Sequence, residues 1–107
     1  MGLAFLGLLG AYETHSFTLK ECNQSLLDDE TFVRDIVYQA SLKCKSTLLA
    51  LNSHKFNPQG VTCIAMLAES HISIHTWPEK GMAVCDIFTC GEPVSYTHLT
   101  LPTILRV

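Results

Sequence analysis

Two proline–glycine joints, Asn57-Pro58-Gln59-Gly60 and Pro78-Glu79-Lys80-Gly81, punctuate the second half of this chain and separate short β-prone runs. Each combines a proline that presets one dihedral with a glycine free to take a positive φ, the chemistry of tight turns. The runs around them, Thr47 to Ser53, Val61 to Leu67, His71 to Trp77 and Met82 to Thr89, are β-prone and read as an antiparallel meander. A further strand is expected near His15 to Leu19. Between that strand and the meander, Phe32, Val33, Ile36, Val37 and Ala40 recur at helical spacing. They predict an amphipathic helix over about Asp29 to Lys43, with Asp28 or Asp29 accepting hydrogen bonds from its first free N–H groups. The resulting order belongs to the α+β class: a two-layer sandwich of an antiparallel sheet with helix on one face.

Val61 to Leu67 is nearly continuous in apolar residues, the pattern of a strand buried on both faces. One helix covers one face, so the other is expected to meet a second subunit, most simply in a homodimer. A chain of 107 residues forms one domain, and 48% hydrophobic with 16% charged residues excludes a disordered tail. A net charge of −3 with no Lys/Arg cluster excludes nucleic acid and anionic membrane as partners. The apolar start, Met1 to Leu9, is shorter than the ~20 residues of a membrane span, and no Lys or Arg precedes it as in a secretory signal. A cytoplasmic protein is expected. The cysteines, Cys22, Cys44, Cys63, Cys85 and Cys90, are odd in number and form no C-x-x-C, so reduced thiols fit best and no metal is expected.

The chemistry concentrates in Glu69-Ser70-His71-Ile72-Ser73-Ile74-His75-Thr76-Trp77-Pro78-Glu79, where two imidazoles, two carboxylates, three hydroxyls and an indole fall within eleven residues. Strand alternation sends Ser70, Ile72, Ile74 and Thr76 to one face and His71, Ser73, His75 and Trp77 to the other. Ser70, the histidines and Cys90 across a hairpin offer a nucleophile, a base and a thiol. No G-x-S-x-G elbow is present, which argues against a hydrolase.

The run Ala68 to Glu79 followed by Asp86-Ile87-Phe88-Thr89-Cys90-Gly91 closely resembles the short prokaryotic S-adenosylmethionine decarboxylase proenzymes. The similarity extends upstream through Ser53-His54-Lys55-Phe56 and Pro58 to Thr62, and more loosely through Leu26-Leu27-Asp28-Asp29. It implies a two-layer unit whose sheets face each other in an αββα dimer. It also implies a self-made cofactor. The Ser70 hydroxyl attacks the Glu69 carbonyl, the resulting ester is eliminated, and hydrolysis leaves a pyruvoyl group at residue 70. Residues 1–69 become the β chain, and residue 70 onward the α chain. By the same resemblance the pyruvoyl of Ser70 forms a Schiff base with the substrate amine and takes up charge as carbon dioxide leaves, with no pyridoxal phosphate. His75 matches the residue that moves protons during processing, a task suited to imidazole. Cys90 matches the acid that returns a proton to the product, and a thiol is largely protonated near neutrality. The implied reaction converts S-adenosyl-L-methionine to S-adenosylmethioninamine, the aminopropyl donor for spermidine.

Other matched positions have two readings. Phe56 is a candidate for stacking on adenine, and Thr62 for assisting processing through its hydroxyl. Glu79 either accepts from ribose hydroxyls or is a solvated turn carboxylate. Trp77 lines the pocket or fills the interface core, and His71 orients residue 70 or packs as an ordinary strand side chain. Cys22, Cys44, Cys63 and Cys85 are read as small hydrophobes. The family resemblance ends near Glu92, so residues 1–93 are taken as the single domain. Val94 to Thr103 reads as the translation of a sequencing adaptor, so residues 94–107 are expected to be a non-native tail on a truncated protein.

Three alternatives remain at this level. A related pyruvoyl-dependent ornithine or arginine decarboxylase would use the same Ser70, His75 and Cys90. A truncated chain would serve as the non-catalytic partner of an active paralogue. A metal-binding module would draw on His71, His75, Cys85 and Cys90, although no standard ligand spacing supports it.

Overall fold

The structure, a computed structural model, describes residues 12–44, 47–68 and 70–90. The apolar start from Met1 to Leu9, Glu69 and the segment 94–107 lie outside the described residues. The chain forms β1 (Tyr12–Leu19), a one-turn helix α1 (Gln24–Leu27), α2 (Glu30–Lys43), β2 (Leu48–Lys55), β3 (Val61–Leu67), β4 (Ser70–Trp77) and β5 (Met82–Cys90). A 3-10 turn, Pro78–Lys80, joins the last two strands. The strands make one sheet in the order β1-β5-β4-β3-β2, with every neighbouring pair antiparallel. The expected meander is present, and the expected first strand closes it by pairing with β5. Because β1 and β2 are the two edges, the chain crosses one face of the sheet between them, and α2 is that crossing.

α2 begins where its capping chemistry places it. The Asp29 side chain accepts from the Phe32 N–H at 3.1 Å, Glu30 sits in the first turn and Lys43 in the last, matching the helix dipole. Asp28 is not the cap of this helix. Val33, Ile36, Val37 and Ala40 are buried as their spacing predicts, and α2 packs them on β2, β3 and β4. Beneath them lie Cys63, Ala65, Ile72, Ile74, Cys85 and Ile87, each 0 to 1% exposed. α1 is one turn, not predicted from the sequence, capped by Asn23, whose Oδ1 accepts from Leu26 N–H at 3.1 Å. Its reason is tertiary: Leu27 is wholly buried.

β4 divides as alternation predicts, with Ile72, Ile74 and Thr76 buried under the helix and His71, His75 and Trp77 on the open face. β3 is covered by α2 on one face, and its other face is the one expected to meet a second subunit. Val61, Cys63, Ala65 and Leu67 are buried, but Ile64 and Met66 are 43% and 53% exposed, so within one chain the apolar run is covered on one face only.

Candidate active site

The open face carries a hollow of about 380 Å³ at one end of the sheet. Phe56, Gln59 and Gly60 of the β2–β3 turn, Thr62 of β3, His75, Thr76 and Trp77 of β4, and Glu79 of the 3-10 turn form its walls. Antiparallel register sets Thr62 opposite His75, and Thr62 Oγ1 lies 3.0 Å from His75 Nδ1. The His75 ring is tilted against the Trp77 indole with centroids 6.4 Å apart. Phe56 is 46% exposed and meets His54 edge-on at 4.5 Å, so much of its ring remains available for stacking.

The turn bearing Phe56 is held from outside the sheet. Phe56 N–H donates to Gly60 O at 2.8 Å, and Gly60 takes a φ of +111°, a conformation that favours glycine. Asp28 Oδ1 accepts from the Gly60 N–H at 2.8 Å and pairs with Lys55 Nζ at 3.1 Å, gripping both ends of the turn. Those bonds, the one from Gly60 foremost, hold the Asp28 carboxyl below its ordinary range. Thr76 Oγ1 accepts from the Val61 N–H at 2.8 Å and donates to Leu27 O at 2.8 Å, tying α1 to the floor of the hollow.

A second polar group lies nearer the opposite end of β4. His71 Nε2 is 3.2 Å from Asp86 Oδ2, and Asp86 Oδ1 accepts from Ser16 Oγ at 2.9 Å. Those two bonds, the one from Ser16 first, keep the Asp86 carboxyl low. Ser70 opens β4, and His75 stands five positions further along it. At ~3.3 Å per residue that is roughly 17 Å, and strand alternation turns the two side chains to opposite faces. The register that pairs His71 with Phe88 carries the backbone of Cys90 to the same rim as Ser70. The Cys90 side chain lies outside the described residues, as does Glu69.

The structure therefore gathers Phe56, Thr62, His75 and Glu79 at one rim and sets Ser70 and the Cys90 backbone at the other. Sequence reasoning overlooked Thr76, Asp28 and Asp86. A hydroxyl in the apolar row of Ile72 and Ile74, and a carboxylate between Cys85 and Ile87, were the available signals. Cys85 points under the helix while His71 and His75 face away from it, so those groups cannot share one metal. Among the described residues no three His, Cys, Asp or Glu side chains converge to hold a metal ion. Burial pushes the Cys63 thiol up to about 11, and burial, with Cys22 adding to it, pushes Cys85 up to about 12. Both behave as core side chains.

A five-stranded sheet covered on one face, with an imidazole–hydroxyl pair in a hollow on the other, defines a two-layer α+β protein. Residues 14–101 match the family described as S-adenosylmethionine decarboxylase, and the chain belongs to that family. It is 57% identical over 74 residues to the S-adenosylmethionine decarboxylase proenzyme of Synechococcus sp. (strain WH7803), covering 69% of this chain and 58% of that one. To the proenzyme of Methanococcus maripaludis (strain C7 / ATCC BAA-1331) it is 51% identical over 85 residues, covering 79% and 69%. The crystal structure of the adenosylmethionine decarboxylase from Aquifex aeolicus vf5 superposes with a TM-score of 0.75 at 31% identity, covering 83% of this chain and 74% of that one. The chain spans 58% and 61% of the length of the Synechococcus and Prochlorococcus marinus (strain MIT 9211) proenzymes. Among the described residues no helix is long and apolar enough to cross a membrane.

Proposed function

We propose that this chain is a proenzyme that cleaves itself between Glu69 and Ser70, carries the resulting pyruvoyl group at residue 70, and decarboxylates S-adenosylmethionine. The observation that carries this reading is the hollow that unites Phe56, Thr62, His75 and Glu79. An aromatic ring for a nucleobase, a carboxylate for ribose hydroxyls and an imidazole held by a hydroxyl stand in one wall. The sequence position of the break also fits. Ala68 and Glu69 connect two paired strands, so a cut there severs a hairpin turn and leaves β3 and β4 held by their ladder.

In this reading Thr62 occupies His75 Nδ1, which leaves Nε2 as the ring nitrogen that exchanges protons during ester formation and elimination. The pyruvoyl group, once made, supplies the sink for the electrons released with carbon dioxide. Cys90 returns a proton to the product carbon. The roughly 17 Å between Ser70 and His75 is bridged by a second copy. Two chains packed open face to open face with strands reversed form an αββα homodimer that sets the Ser70–Cys90 rim of one over the hollow of the other. Such an enzyme is cytoplasmic.

Intact mass of the purified chain tests the reading. Two fragments divided at Glu69–Ser70, the second blocked by pyruvoyl, support it, and a single uncut mass contradicts it. Ser70→Ala abolishes both splitting and carbon dioxide release, whereas Cys90→Ala splits but does not turn over. Release from ornithine or arginine in place of S-adenosylmethionine would reassign the substrate. Co-expressed Ser70→Ala and His75→Ala chains test the shared site: the His75→Ala chain splits only if its partner supplies the histidine.

A further inference from the structure

The register leaves position 70 at a weak point. Ser70 pairs with Leu67 on β3, whereas the ladder between β4 and β5 starts one residue later, at His71 opposite Phe88. Among the described residues, position 70 is thus paired on one side, with β3. Cutting the chain before Ser70 removes the join to β3 through Ala68 and Glu69, and strand ends without a covalent turn fray. His71 is the first residue gripped from both sides, and its side chain is tied down. Its Nε2 lies 3.2 Å from Asp86 Oδ2, and its ring stacks on Phe88 with centroids 5.7 Å apart. The Asp86 carboxylate is anchored in turn by Ser16 Oγ at 2.9 Å, so the links run across β4, β5 and β1 on the open face. While the hairpin is whole, a pair this exposed, 43% and 38%, adds little to what the turn already does.

We infer that Asp86, acting through His71, is a positioning residue that keeps the cut end of β4 in register and so holds residue 70 in place after self-cleavage. The inference rests on the reading of Glu69–Ser70 as the cleavage site. It assigns Asp86 no contact with substrate. Its demand is specific: the anchor matters after the cut and not before it.

Asp86→Ala and Asp86→Asn are each made in the self-cleaving chain and in the Ser70→Ala chain, which stays whole. Intact mass records whether each sample is split, and hydrogen exchange is then followed in the peptide that opens β4. In the split chain Asp86→Ala speeds exchange there by about tenfold, the loss of one charge-assisted hydrogen bond. Asp86→Asn, which keeps a neutral acceptor for Ser16 and His71, gives a smaller acceleration. In the whole Ser70→Ala chain both variants change exchange by less than about twofold. Equal acceleration in split and whole chains makes Asp86 an ordinary structural residue and overturns the inference, as does no acceleration in the split chain. Should Asp86→Ala fail to fold, the Asn variant in the same two backgrounds decides. If the chain without an Asp86 substitution never splits, the inference falls with the cleavage reading, and the mass identifies that cause before any exchange is measured.

Discussion

On the helix-covered face Cys63, Ile74 and Cys85 are wholly buried, whereas one residue further along the same strands Ile64 is 43% exposed and His75 and Asp86 meet solvent. The two faces share backbone, twist and hydrogen-bond ladder, so their difference comes entirely from side-chain alternation and from what α2 covers. On the covered side the Thr76 hydroxyl is bonded to the Val61 N–H and the Leu27 carbonyl, and the Ser53 hydroxyl to Arg34 and Glu30 of α2. On the open face Thr62 is linked with His75 and His71 with Asp86, at half-buried positions, while Ser73 between the two histidines is buried. Thiols illustrate the separation. Cys63 and Cys85 lie on the covered face, where burial makes the thiolate costly.

That contrast predicts the largest effect. At pH 8, thiols pushed up to about 11 and about 12 are almost entirely protonated as well as buried. Iodoacetamide should alkylate Cys63 and Cys85 at least ~100-fold more slowly in the folded protein than in the unfolded chain. Peptide mass mapping after timed labelling checks this. Labelling of Cys85 at the unfolded rate would mean that the helix layer does not close that face.

Paired truncations sharpen the comparison in energy. Ile74→Ala opens a cavity under α2 and should cost about 2–5 kcal/mol, while Ile64→Ala, on the open face of the same sheet, should cost under ~1 kcal/mol in the isolated chain. Urea unfolding of both variants measures the gap. If a second copy covers the open face, the Ile64→Ala cost grows with protein concentration, because only the assembled state buries that side chain. A gap that closes at high concentration would therefore report the homodimer.

Much of this architecture is legible in the chain because it is local. The two proline–glycine joints, the helical spacing from Phe32 to Ala40 and the alternation of β4 are each written within a few residues, and each element forms where expected. The β3 run is legible only in part: periodicity records which side chains are apolar, and what would cover Ile64 and Met66 is not contained in a single chain. α1 is invisible because one turn has no period, and only the tertiary burial of Leu27 makes it. The site divides the same way. Residues Phe56, Thr62, His75 and Glu79 are recognisable singly, but their convergence depends on β3–β4 register. The separation of Ser70 from His75 was readable, since an odd spacing on a strand always means opposite faces. The grips of Asp28 on Gly60 and of Thr76 on Leu27 join distant parts of the chain, and no local pattern announces them.

The smallest predicted effect concerns the Asp28 grip, which belongs to the covered layer yet serves the open one. Its carboxyl accepts from the Gly60 N–H and pairs with Lys55, and both bonds favour the ionised form, so its folded pKa lies below its unfolded value. The sign follows from linkage. Stabilisation from Asp28 is complete above the unfolded carboxylate pKa of ~3.9 and is lost as pH falls through the lower folded value. Asp28→Asn keeps an acceptor for Gly60 but removes the charge that holds Lys55. The variant should therefore melt slightly below the parent at pH 7, and the two melting curves should converge as the pH is lowered past the folded pKa. Melting temperatures from pH 7 to pH 2.5 check this, and a constant offset across that range would show that the charge is not what the turn uses. The same substitution loosens the segment that presents Phe56, so affinity for an adenine nucleoside, followed through the Trp77 emission of the hollow, should fall while splitting at residue 70 is unaffected. A variant that impaired splitting as much as nucleoside binding would show the two rims of the sheet to be less independent than their geometry implies.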